Sequence, residues 1–208
     1  QEADRLTLID AGLAGSAETI FGAVERGGAR REDLAQVLVT HYHADHIGAL
    51  AELAERGGAR VLAHRLDAPV VRGEQEEAEP VLSDAERPYA ERAIQSTPAA
   101  PRAQVDRELE DGDEIDLDGG ARVVHVPGHT PGSIALYVPK RKLLFTGDAV
   151  AGVDGKPIVG VFNADPEQAR ASFRKLADLD FEVACFGHGA PLDRDASLAF
   201  RRAAERLG

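Results

Sequence analysis

The apolar positions of this chain fall into short β-branched runs that alternate with sets at helical spacing. Leu6-Thr7-Leu8-Ile9 ends on Asp10-Ala11-Gly12, which predicts a strand entering a turn. Ser16 predicts an N-cap, since its hydroxyl can accept an otherwise orphaned helix amide. The helix behind it puts Ile20, Phe21 and Val24 on one face and stops at Gly27-Gly28. Residues 37–40 (Val-Leu-Val-Thr) are apolar on both faces, as in a buried strand, and run directly into His41. From His46 a helix carries Ile47, Leu50 and Leu53 and ends at Gly57-Gly58, and 60–63 is the next strand. A strand–helix–strand rhythm of this kind predicts an α/β layered protein.

The rhythm breaks over 73–107, where Glu74, Glu76, Glu77, Glu79, Asp84 and Glu86 cluster with Pro80, Pro88, Pro98 and Pro101. An exposed helical or irregular insertion, placed as a lid over a site, fits this composition, as does a solvated linker. Residues 114–117, 121–126, 134–138 and 143–145 then read as consecutive strands with Gly- and Pro-containing turns between them. Asp165-Pro166 starts a helix, with Asp as cap and Pro in the first position, and Ala169, Phe173 and Leu176 form its inner face. A last strand at 183–186 leads into Gly187-His188-Gly189, and 195–206 forms a terminal helix.

Composition narrows the class. The 208 residues carry 36 acidic and 24 basic side chains, a net charge of −12, which argues against nucleic acid as a partner because that affinity comes from Lys and Arg on phosphates. No apolar run approaches the length of a membrane span, so no membrane partner is expected. A single cysteine, Cys185, forms no internal disulfide and points to a reduced, cytoplasmic setting. The length suits one domain over 1–208 with the 73–107 insertion. Methionine is absent, so Gln1 is not a natural start and the N-terminus is expected to be incomplete.

The chemistry concentrates in Thr40-His41-Tyr42-His43-Ala44-Asp45-His46, where a strand ends and a helix begins. Three imidazoles and a carboxylate within six positions are suitable ligands for Zn, Fe or Mn. A tight turn lets His41 and His43 point one way and Asp45 and His46 the other, an arrangement for two metals rather than one. Three more segments place a ligand at a strand end beside glycine: Pro127-Gly128-His129-Thr130-Pro131-Gly132-Ser133, Phe145-Thr146-Gly147-Asp148 and Phe186-Gly187-His188-Gly189. Of the other residues, Asp10 either orients a ligand histidine or caps its turn. Tyr42 is expected to pack outward, His64 and His125 to be hydrogen-bonded structural groups, and Cys185 to be a small core residue. Phe162 and Asn163, in the 149–164 loop, are expected to line a substrate pocket.

The H-x-H-x-D-H run, followed in order by His129, Asp148 and His188, resembles the metallo-β-lactamase-fold hydrolase superfamily, as do Asp10-Ala11-Gly12 and the Pro-Gly-His-Thr-Pro-Gly-Ser segment. The resemblance spans about residues 6 to 195. It implies an αβ/βα sandwich of two mixed β-sheets flanked by helices, with the family's opening strands missing ahead of Asp10. It further implies two divalent metal ions, with Zn foremost and Fe or Mn as alternatives. His41, His43 and His129 would hold one, Asp45, His46 and His188 the other, and Asp148 would bridge them. The aspartate in the bridging position turns the resemblance from the β-lactamases proper towards the branch of glyoxalase II-like thioesterases, lactonases and phosphodiesterases.

The expectation is a binuclear hydrolase in which a metal-bridging hydroxide attacks the thioester, lactone or phosphodiester bond of a small substrate. Asp45 would carry a proton to the leaving group, and Asp45 with Asp148 form the catalytic pair. A mononuclear non-haem iron sulfur dioxygenase of the same fold is the competing reading.

Overall fold

The structure is a computed structural model, and it describes residues 5–117 and 119–207. It comprises two units, each with a core of its own. The first holds the chain through Glu77 together with Pro88–Leu109, and the second holds Ala78–Arg87 and the chain from Glu110 on.

In the first unit β1 (Leu6–Ile9), β2 (Leu34–Leu38), β3 (Arg60–His64) and β4 (Arg107–Leu109) form a sheet in that order, parallel throughout. Parallel neighbours need long crossovers. Here α1 (Ala17–Arg26) joins β1 to β2, while α2 (Ala44–Ile47) and α3 (Leu50–Gly57) join β2 to β3. The return to β4 runs through α4 (Ala68–Val71) and α5 (Arg87–Ser96). Phe21 of α1 and Leu50 and Leu53 of α3 are fully buried with Val37 and Val61 of the sheet, which is the apolar spacing that predicted these helices.

Several details depart from the sequence expectations. Ser16 occupies the N-cap of α1 with helical φ/ψ, and its side chain makes no capping bond. The helix expected from His46 begins two residues earlier and is broken at Gly48-Ala49. At the break the Gly48 amide donates to the Gly12 carbonyl at 2.7 Å instead of continuing the helix, and only glycine fits there, since a Cβ on Gly48 would lie 2.1 Å from the Ala14 nitrogen. Tyr42, expected outside, is 2% exposed and belongs to the first unit's core. Its ring meets that of His43 edge-on at 5.2 Å, so apolar packing beneath the turn has outcompeted exposure of the phenol.

In the second unit β5 (Glu114–Ile115), β6 (Ala121–His125), β7 (Ile134–Val138) and β8 (Leu143–Phe145) form an antiparallel meander. β9 (Val150–Val153) and β10 (Lys156–Val159) form a separate hairpin where the sequence suggested only loop. Asp154-Gly155 turns it, both residues with positive φ, which is the geometry an Asp-Gly turn favours. α6 (Pro166–Ala177) starts as predicted, with Asp165 Oδ1 accepting from the amides of Glu167 and Gln168. β11 (Val183–Cys185) pairs in parallel with β8, giving a mixed sheet ordered β11-β8-β7-β6-β5, and α7 (Ala196–Ala204) closes the chain.

This unit's core is built round Phe200, which stacks on Phe173 at 5.2 Å and meets Phe181 edge-on at 5.0 Å. All three rings are fully buried. Among the described residues no helix is long and apolar enough to cross a membrane. Phe200→Ala should remove about 3–5 kcal/mol of stability, transfer and cavity costs together. The expected reading is a fall in urea midpoint at unchanged slope.

Candidate metal centre

The first unit gathers its candidate ligands at the C-terminal ends of β1 and β2. The ladder of β2 onto β3 extends one bond further, from the Val39 amide to the Leu62 carbonyl, and then stops. The next amide, Thr40, donates to Asp10 Oδ1 at 2.7 Å, and the Thr40 hydroxyl donates to Asp10 Oδ2 at 2.7 Å. Asp10 is held with φ +59°, in the left-handed region, by its own amide bond to the Leu38 carbonyl. That backbone costs about 1 kcal/mol. Hydrogen bonds to a carboxylate contribute about 1.5–3 kcal/mol each, so the bonds it accepts outweigh the strain.

Asp10 also takes Nδ1 of His46, at 2.7 Å to Oδ2. A carboxylate only accepts, so the bond places the proton on His46 Nδ1 and the ring lone pair on Nε2. His41 is fixed by the same logic at one remove. Its Nδ1 lies 3.0 Å from Thr40 Oγ1. The Thr40 hydroxyl hydrogen already points to Asp10, so Oγ1 accepts from His41 Nδ1, and the lone pair of His41 falls on Nε2 as well. One carboxylate thus sets the tautomer of two histidines, the pattern by which proteins orient imidazoles as metal ligands.

The rings pack closely. His41 and His43 are edge-on with centroids 4.8 Å apart, and His41 and His46 lie 4.0 Å apart. His41 and His46 are buried, while His43 and Asp45 are half-buried, and Asp45 Oδ2 stands 3.7 Å from His46 Nε2. α2 is docked by the Ala11 amide on the His46 carbonyl at 2.6 Å.

The second unit brings together His129, Asp148 and His188. Asp148 Oδ2 lies 3.8 Å from His129 Nε2 and 3.3 Å from His188 Nε2, so a single carboxylate oxygen stands between two imidazoles. The loop of His129 is shaped by Thr130 and Ser133, whose hydroxyls lie 2.8 Å apart, and is tied to α6 by the Ser172 hydroxyl on the Pro127 carbonyl. His129 Nδ1 donates to the Val161 carbonyl at 3.0 Å, which again puts the lone pair on Nε2. The Gly187 amide donates to the Gly147 carbonyl and the Gly152 amide to the His188 carbonyl, which joins the loops of Asp148 and His188. His188 itself is exposed.

Each sequence-predicted ligand therefore sits beside the other ligands of its own unit. Asp10 takes the orienting role of its two expected ones. His64 is buried with the Leu66 amide on its Nδ1, and His125 Nε2 meets the Pro131 carbonyl, so both are hydrogen-bonded structural groups. Burial pushes the Cys185 thiol up and so disfavours the thiolate that a nucleophile or ligand requires. The sequence reading missed Thr40, whose place just before His41 at a strand end was the available signal, and the Val161 carbonyl, which left none. Asn163 does line a cavity, with Val81, Glu86 and Arg170, and its amide donates to the Gly160 carbonyl at 2.6 Å.

An α/β fold with histidines and aspartates gathered at strand ends is the arrangement of a metal-site protein. A family model of the metallo-beta-lactamase superfamily matches residues 1–188, and the chain belongs to that superfamily of metal-dependent hydrolases. It is 31% identical to the probable metallo-hydrolase YflN of Bacillus subtilis, over 92% of this chain and 78% of that protein. It is also 31% identical to a hydroxyacylglutathione hydrolase of Cereibacter sphaeroides, over 74% of this chain and 48% of the relative, so it aligns with about half of that enzyme's length. Among solved structures it resembles the metallo-beta-lactamase family protein TTHA1429 of Thermus thermophilus. The TM-score is 0.71, with 26% identity over 99% of this chain and 71% of the other. The protein TTHA1623, solved in a di-iron-bound form, matches with TM-score 0.68 and 29% identity over 96% of this chain and 88% of that one.

Removing the carboxylate that orients two histidines, in Asp10→Ala, should weaken metal retention about 10–100-fold. Metal content after dialysis against a graded chelator series measures it, and retention equal to wild type would contradict the role given to Asp10.

Proposed function

We propose that the chain holds two divalent metal ions and hydrolyses an ester-like bond of a small substrate, with a thioester, a lactone or a phosphodiester as the candidate groups. In this reading His41, His43 and His129 hold one ion, Asp45, His46 and His188 the other, and Asp148 lies between them. The observation that carries it is the position of Asp148, whose Oδ2 reaches towards both His129 and His188, residues assigned to different ions. The donor set fits the ions: His41, His46 and His129 each have Nδ1 engaged by an oxygen, so that Nε2 would be the ligand atom.

Bound there, divalent ions supply Lewis acidity and lower the pKa of water towards neutrality. The protein's own groups do the rest. Asp10 and Thr40 keep two imidazoles in one tautomer, and the Val161 carbonyl keeps a third. Asp45, whose side chain is partly exposed, would take the proton of the attacking water on a carboxylate oxygen once freed from its ion and pass it to the leaving group. No serine or cysteine nucleophile enters, in keeping with the raised Cys185 thiol. The thioester alternative draws support from the relatives named hydroxyacylglutathione hydrolase, and zinc is the ion proposed first.

Metal quantification on the purified protein, followed by a panel of thioester, lactone, phosphodiester and β-lactam substrates, tests the reading. About two zinc ions per chain and turnover of one of the first three classes are expected. One iron per chain with oxygen consumption would replace the proposal by the sulfur dioxygenase reading. His41→Ala and Asp148→Ala should each abolish hydrolysis and lower metal content, whereas full activity of metal-stripped protein would sink the proposal.

A further inference from the structure

Resting on that assignment of His129, the geometry points to Asn163 and Glu86 as positioning residues for His129, acting together through the strap of residues 160–165. The anchor of His129 is a main-chain carbonyl, that of Val161, so its direction is set by whatever fixes the backbone on either side of it. On one side the Gly160 amide donates to the Ala149 carbonyl at 3.2 Å, and a Cβ on Gly160 would fall 1.8 Å from the Asp148 carbonyl oxygen. On the other side the Ala164 amide donates to the His129 carbonyl at 3.2 Å and the Asp165 amide to that of Gly128 at 2.8 Å. The strap therefore touches the loops of both His129 and Asp148.

Between these fixed ends lies Phe162, with φ +57°. A bulky residue in the left-handed region is strained and persists only where the surroundings impose it. Two groups impose it here. Asn163 is buried, and its Nδ2 closes the turn on the Gly160 carbonyl at 2.6 Å, which leaves the Val161 carbonyl directed at His129. From outside, the acidic segment that precedes α5 grips the same two residues. The Val81 amide donates to the Asn163 carbonyl at 2.9 Å, and the Phe162 amide donates to Glu86. The Ser83 hydroxyl and amide, with the Phe162 amide, hold the Glu86 carboxyl below the usual carboxylate range, so it stays an acceptor. The segment read from the sequence as a lid or a linker thus grips the backbone that orients His129.

Metal-free protein with 15N-labelled histidine rings, at a pH where imidazole is neutral, provides the test. Wild type should show His129 as a single Nδ1–H tautomer. Asn163→Asp keeps the side-chain shape and deletes the donor to Gly160, and should give a tautomer mixture at His129. Glu86→Ala should give a smaller shift in the same direction, and Glu86→Gln, which retains an acceptor oxygen, should restore the wild-type spectrum. Zinc affinity by chelator competition should fall about tenfold in Asn163→Asp, the low end for outer partners of a ligand. A His129 spectrum unchanged in both Asn163→Asp and Glu86→Ala overturns the inference. If Asn163→Asp fails to fold, Glu86→Ala decides alone, on the same criterion. The ring spectrum is read without metal, so a protein that binds none would defeat the proposed function while this inference still stood or fell on the spectrum.

Discussion

The Asp10 carboxylate is the constraint on which the first unit's chemistry depends. It accepts the Thr40 amide where the sheet ladder ends, the Thr40 hydroxyl, and Nδ1 of His46. Each bond has a structural and a chemical consequence. The amide bond finishes β2 without leaving a buried donor unsatisfied. The hydroxyl bond uses up the only hydrogen the Thr40 hydroxyl can donate, so its oxygen becomes an acceptor for His41. The imidazole bond docks α2, which the Ala11 and Gly48 amides reinforce. Strand end, turn and helix start are thereby one hydrogen-bonded object. The left-handed backbone of Asp10 is the strain that this object sustains.

The second unit reaches a similar result by different means. Its orienting acceptor is a backbone carbonyl, and the loops of Asp148 and His188 are joined by backbone amides on backbone carbonyls, between Gly187 and Gly147 and between Gly152 and His188. Close approach of chain to chain does here what a carboxylate does in the first unit. Gly160 shows why the sequence must be permissive at such a place, since any side chain would collide with the Asp148 carbonyl. Side-chain anchoring keeps the orienting group in one residue. Backbone anchoring spreads it over every residue that fixes the strap.

That difference explains how much of the molecule was legible in advance. The α/β class, most of the strands and the capped start of α6 follow from short apolar runs, helical spacing and an Asp-Pro pair, because there local preference and tertiary context agree. Where they disagree, the sequence reading failed. β4 is a short, charged strand that owes its existence to its partner β3. The 46–57 helix is split because Gly48 must meet the 12–14 backbone, a demand made from more than thirty residues away. The β9–β10 hairpin is a different kind of failure, since its Asp-Gly turn was a local signal that went unused.

The candidate site divides along the same line. His41, His43, Asp45, His46, His129, Asp148 and His188 could be named as candidate ligands because imidazoles and carboxylates at strand ends are side chains of distinctive chemistry. Asp10 was half legible, as a carboxylate with two possible uses. Thr40 was overlooked although it stands just before His41 at a strand end, because its effect lies in the direction of one hydrogen. The Val161 carbonyl was illegible in principle, since every residue carries a carbonyl and only the fold decides which one an imidazole meets. Motifs thus report the atoms that would bind, and much of what aims those atoms lies in the backbone between them.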